Sequence, residues 1–72
     1  MITAMARPFL LVCGTATFPM TSTDAQRLID GLTPEYAVTM TPNSLTFTNS
    51  AGFEYRILPA TLGGGPAFEV TQ

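Results

Sequence analysis

The sequence predicts an α+β domain: a small, mostly antiparallel β-sheet of four to five strands with one α-helix, about residues 22–31, packed on one face. Three observations lead there. One segment repeats its apolar residues with helical spacing between a start signal and a stop signal. Several others alternate apolar and polar residues with a period of two. Two of those alternating runs are joined by a turn sequence, Asn49 to Gly52, that suits a hairpin. The order is strand, helix, strand, strand, strand, and a short last strand, and at 72 residues the chain is a single domain over 1–72.

The first strand is "PFLLVC", which holds the densest apolar run and the single cysteine. Pro8 suits a first strand position, and Gly14 marks an end or a bulge. A run apolar at every position suggests a strand covered on both faces. Cys13 is expected to pack there as a small hydrophobe, since free cysteine is among the most buried residue types. A reactive thiol would want a cation or a helix N-terminus beside it, and the nearest charge, Arg7, stands six residues away. A lipid-attachment signal would need a small residue before the cysteine, where Val12 stands, and a longer apolar run.

The helix, "MTSTDAQRLIDGL", starts with Thr21 as N-cap and Asp24 three residues on, in the manner of a capping box and at the positive end of the helix dipole. Thr23 with Gln26 is the alternative start. Ala25, Leu28, Ile29 and Leu32 form one apolar stripe, which sets Gln26, Arg27 and Asp30 outward. Gly31 and Pro34 stop the helix.

Beyond it the period changes to two. Tyr36, Val38 and Met40 alternate with Ala37, Thr39 and Thr41, and Pro42–Asn43 turns the chain. In the following hairpin, Asn49 suits the start of a type I turn and Gly52 the position needing positive φ. Pairing Asn49 with Phe53 sets Phe47 opposite Tyr55 and Leu45 opposite Ile57 on one face. Thr46 with Arg56 and Thr48 with Glu54 then share the other. A slip of one residue would destroy the alternation on both strands. Pro59 ends this strand, "LGGGP" is a flexible loop, and "AFEVT" closes the chain as a short strand with Phe68 and Val70 on one face.

Composition limits the chemistry. The chain has no lysine, no histidine and three arginines, with a formal net charge of −2. Three scattered cations cannot neutralise the run of phosphates a duplex binder needs, so nucleic acid is not an expected partner. No apolar run approaches the ~20 residues of a membrane-spanning helix, which leaves the cytoplasm of a bacterial cell or an infected host cell as the expected location. The absence of lysine beside abundant Ala, Thr, Gly and Pro points to a GC-rich coding source, an actinobacterium or its phage. One cysteine without histidine offers no metal set, no cofactor motif occurs, and "GGGP" lacks the lysine of a phosphate loop. Asp24, Asp30, Glu35, Glu54 and Glu69 are spread singly.

What remains is association. Below roughly 70–80 residues one core rarely supplies more than ~3–5 kcal/mol, and this chain has neither disulfide nor metal. Its content is 46% hydrophobic and only 11% charged, so a homo-oligomer, in the first place a dimer, and a further protein partner are expected. The function expected is a non-enzymatic protein–protein interaction module, a small regulator, inhibitor or assembly subunit. The alternative is a small ligand-binding or hydrolytic enzyme subunit with an atypical carboxylate site. Aromatic residues dominate interface anchors, which nominates Tyr36, Phe53 and Phe68 as protein-binding residues, with Phe47 and Tyr55 assigned to the core. Thr-x-Thr pairs such as Thr39/Thr41 and Thr46/Thr48 would give a sheet face polar enough for water, yet flat and uncharged enough to accept a partner.

Overall fold

Antiparallel pairing organises the whole chain. The structure, a computed structural model, describes residues 1–32, 34–61 and 63–71. Seven strands and one helix follow in the order β1 (Ile2–Ala4), β2 (Phe9–Cys13), β3 (Ala16–Met20), α1 (Ser22–Asp30), β4 (Ala37–Thr41), β5 (Ser44–Thr48), β6 (Glu54–Pro59) and β7 (Phe68–Val70). Five strands form one sheet in the order β3-β2-β6-β5-β4, and β1 with β7 makes a separate two-stranded ribbon. The domain is α+β, with a mostly antiparallel sheet and a single helix.

The β5–β6 register has Leu45 opposite Ile57, Phe47 opposite Tyr55, Thr46 opposite Arg56 and Thr48 opposite Glu54, as the alternation requires. The turn chemistry that sets it is in place. Gly52 takes φ 89°, its N–H donates to the Asn49 carbonyl at 3.0 Å, and Asn49 Oδ1 accepts from the Ala51 and Phe53 amides at 2.9 and 3.0 Å. The helix also starts as expected: Thr21 Oγ1 accepts from the Asp24 amide at 3.1 Å.

Two strands were not evident from the sequence. Gly14 does not end an isolated strand. With φ 63° it opens a two-residue turn with Thr15, and Cys13 pairs with Ala16 across it. A glycine at the first central position is what a type II′ hairpin turn calls for, so residues 16–20 fold back as β3. The last strand does not extend the main sheet; β7 pairs with β1, Ile2 opposite Val70 and Ala4 opposite Phe68.

The helix and the ribbon lie on the same side of the sheet. Ala25 and Ile29 of α1 and Ala67 and Phe68 of the last segment close over Phe9, Leu45, Phe47 and Ile57. Phe9 stacks on Phe68 with ring centroids 5.3 Å apart, and Phe47 lies over Tyr55 at 5.2 Å. Gln26 does not simply face outward. Its Oε1 accepts from the Ala4 amide at 2.8 Å and its Nε2 donates to the Ile2 carbonyl at 3.1 Å, which clasps β1 to the helix. The principal extents, 34 × 33 × 18 Å, match two layers and no third, since packed layers lie roughly 10 Å apart. β2 is therefore covered on one side only. Phe9 is buried, whereas Leu10, Leu11, Val12 and Cys13 are half-buried, which corrects the expectation of a strand enclosed on both faces.

The glycine-rich loop is tied down as well, although Leu62 lies outside the described residues. Gly63, Gly64 and Gly65 have φ of 90°, 84° and 80°, and their carbonyls converge on the Arg7 guanidinium at 3.3, 2.6 and 3.3 Å. Left-handed backbone at three successive residues turns the carbonyls towards one donor group, and only glycine takes that conformation without a Cβ clash.

Two stability measurements test this packing. Leu45→Ala is expected to cost about 2–5 kcal/mol in urea unfolding, whereas Val12→Ala, on the uncovered face, should cost under about 1 kcal/mol; equal losses would contradict the one-sided core. A Cβ on Gly64 would sit 3.3 Å from Arg7 Nη2, while one on Gly63 meets nothing within 4 Å. Gly64→Ala should thus destabilise more than Gly63→Ala, and the excess should vanish in an Arg7→Ala background.

Candidate interaction surface

The one-sided core leaves the second face of the five-stranded sheet open, and the register maps its residues. One row runs across all five strands: Thr17, Val12, Arg56, Thr46, Thr39. Beside it lie Pro19, Leu10 and Leu58, and on the other side Glu54, Thr48 and Ala37. Alternation explains the content, because these are the residues whose neighbours point into the core. The face divides into an apolar half on β2, β3 and the end of β6, and a threonine-rich half on β4 and β5. Its charges are Arg56 and Glu54, 3.8 Å apart and both half-exposed; such a pair adds little to stability but leaves the face without net charge.

The three aromatic residues nominated as anchors fall in different settings. Phe53 is 65% exposed. It lies at the mouth of a depression of about 360 Å³ bounded by Val12, Cys13, Gly14, Gly52, Glu54 and Arg56. Tyr36 is half-buried and packs edge-on against Phe47 at 5.8 Å. Both lie towards the same end of the sheet, where β4 begins, β5 ends and β6 begins. Phe68 is not partly exposed as the sequence suggested; at 2% exposure it belongs to the core against Phe9. Its place near the chain end gave no sign of this: β7 lies on the helix side of the sheet and buries Phe68 there, while Val70, two residues on and on the same face of the strand, is exposed.

Sequence reasoning missed Phe18, Leu10, Val12 and Leu58. Phe18 is exposed at the margin of the helix-side face, on β3. The signal was present, since Ala16, Phe18 and Met20 alternate with Thr17 and Pro19, but a proline inside a run speaks against a strand. Cys13 is half-buried and free. No three His, Cys, Asp or Glu side chains gather into a metal-holding group among the described residues. Of the carboxylates, Glu54 faces Arg56 at 3.8 Å and Asp30 accepts from Gln26 Nε2 at 2.9 Å. No helix among the described residues is long and apolar enough to cross a membrane.

Comparison with known proteins found no matching family model, no matching curated protein and no matching solved structure.

Exchanging the two phenylalanines separates surface from core. Phe53→Ser is expected to change unfolding free energy by less than about 0.5 kcal/mol, and Phe68→Ala to lower it by about 3–5 kcal/mol. The reverse order would move the anchor back to Phe68.

Proposed function

We propose that this chain is a non-enzymatic protein–protein interaction module, a small regulator, inhibitor or assembly subunit that associates with itself and with another protein, acting in the cytoplasm of a bacterial or phage-infected cell. The observation that supports this reading is the open sheet face. Leu10, Val12, Leu58 and Pro19 lie side by side on rigid, hydrogen-bonded strands, next to threonines that add no charge. A preordered face of this kind loses little conformational entropy on docking, and its mix of apolar centre and neutral polar flank matches the core and rim of non-obligate interfaces. Phe53, exposed at the Gly52 end of the sheet and lining the same depression as Val12, adds an aromatic anchor at that end. The nature of the face sets the partner's chemistry: a protein surface that is flat, weakly charged and largely apolar.

An affinity capture from cells that express the chain checks this. Wild type is expected to retain a defined protein, and Val12→Asp and Phe53→Ala to weaken retention at least tenfold with unchanged melting temperature. The reading fails if no macromolecular partner is retained and the purified chain turns over a substrate with a rate that Glu54→Gln or Asp30→Asn abolishes.

A further inference from the structure

The two edges of the five-stranded sheet are not equivalent. In an antiparallel ladder the N–H and C=O of one residue point to the same side, and successive residues alternate. The Asn49 amide donates to Phe53, so the odd residues of β5 face β6 and Ser44, Thr46 and Thr48 face β4. Their partners Thr41, Thr39 and Ala37 use up their backbone groups there. Val38 and Met40 therefore direct their N–H and C=O groups away from the sheet, and no backbone hydrogen bond among the described residues outside the ladders engages them. On the opposite edge the same count, anchored by the Ala60 amide on the Pro8 carbonyl, turns Thr17 and Pro19 outward. Pro19 has no N–H to offer, and proline at an outward position is a common block against edge pairing. Edge β3 is protected, while edge β4 carries no proline, no lysine and no charge of any kind.

We propose that the β4 edge takes a second copy of this chain, antiparallel, about a two-fold axis through Thr39. This rests on the reading that the chain works by association and names one of its partners. The geometry closes on itself. A two-fold at Thr39 sets Val38 of one copy opposite Met40 of the other, and these are the outward-facing residues. Each such pair exchanges two hydrogen bonds, four in all. Pairing i with 78 − i preserves parity, so the helix-side faces of both copies meet as one layer and the threonine faces as the other, in a continuous ten-stranded sheet. Thr39 meets itself as a non-hydrogen-bonded pair, with Cα atoms ~4.5 Å apart, and a neutral side chain there produces no like-charge repulsion.

The apolar surface is concentrated at the same edge. Six large hydrophobic side chains are exposed among the described residues, and four of them, Met1, Met5, Val38 and Val70, line two grooves flanking β4 on the helix side. One, of about 470 Å³, runs past Val38 and Met1; the other, of about 510 Å³, runs past Met40, Met5 and Val70. The two-fold brings the Val38 groove of one copy against the Met40 groove of its partner. A five-residue strand alone buries too little for a stable pair, as specific interfaces need about 800 Å² per partner; the grooves extend the contact along the second layer. Each groove carries one carboxylate, Asp30 or Glu69, and both are exposed to solvent.

Sedimentation equilibrium on the purified chain tests the pairing. Wild type, 7.7 kDa as a monomer, is expected to approach twice that mass as concentration rises from ~10 μM to ~1 mM. Thr39→Lys, which puts two cations on the axis, should raise the dissociation constant at least tenfold, and so should Thr39→Glu. An equimolar mixture of the two should regain the dimer mass, since the pair across the axis becomes Lys with Glu. Thr17→Lys, outward on the proline-protected edge, should leave the constant unchanged. Circular dichroism melts confirm that each variant is folded. A wild type monomeric at ~1 mM, a folded Thr39→Lys that still dimerises, no recovery on mixing, or equal loss with Thr17→Lys would each overturn the β4 pairing. Capture of another protein through Val12 and Phe53 would remain intact in those cases, so the β4 self-pairing and the binding of a different protein fail separately.

Discussion

A nine-residue helix and a three-residue ribbon can cover only one face of a five-stranded sheet. The helix is about 13 Å long at 1.5 Å per residue, and five strands span about 19 Å between the outer axes at ~4.8 Å each. The described residues supply no third layer. From this shortage follow the position of the core, the half-burial of β2 and the open face with Leu10, Val12 and Leu58. Fully buried side chains gather where helix, ribbon and sheet overlap, at Phe9, Leu45 and Ile57. Towards the Gly14 and Gly52 turns the cover thins, and Phe53 and Phe18 stand exposed.

Charge is scarce and the fold uses it sparingly. Arg7 is held by the three glycine carbonyls of the 63–65 loop, and Arg56 lies beside Glu54 on the open face. The third, Arg27, is exposed in the last turn of α1, where a cation suits the helix dipole. The three arginines sit in three different parts of the fold, before β2, in α1 and in β6. The same scarcity leaves edge β4 without the inward-pointing lysines by which many sheets discourage pairing, while Pro19 does that work on the opposite edge. A chain that protects one edge and not the other differs from one that neglects both.

How much of this was legible in the sequence depended on whether a signal was local. The β5–β6 hairpin was recoverable to the residue because Asn49 and Gly52 define the turn and the alternation of Leu45, Phe47, Tyr55 and Ile57 allows one register. The helix start was equally local, as Thr21 and Asp24 lie within one turn. Strands β1 and β7 are three residues each, and they pair across almost the whole chain; no window of sequence contains both, so the burial of Phe68 could not be read. β3 was hidden by Pro19, the residue that makes it a good edge. The exposure of Phe53 needed only its place beside a turn, whereas the open face of β2 depends on how many layers pack over the sheet.

The β2 run "FLLVC" is apolar at every position. Continuous apolarity usually means a strand enclosed on both sides, and here only Phe9 is enclosed. Leu10 and Val12 are incompletely buried, and Leu58 stands opposite Leu10 in the same condition. At ~25 cal/mol per Å² of apolar surface, leaving part of them in water forgoes stability that a domain of this size can ill spare. Apolar residues on a face with no second layer over it make physical sense when the rest of their burial comes from another molecule, which is the basis of the proposed association.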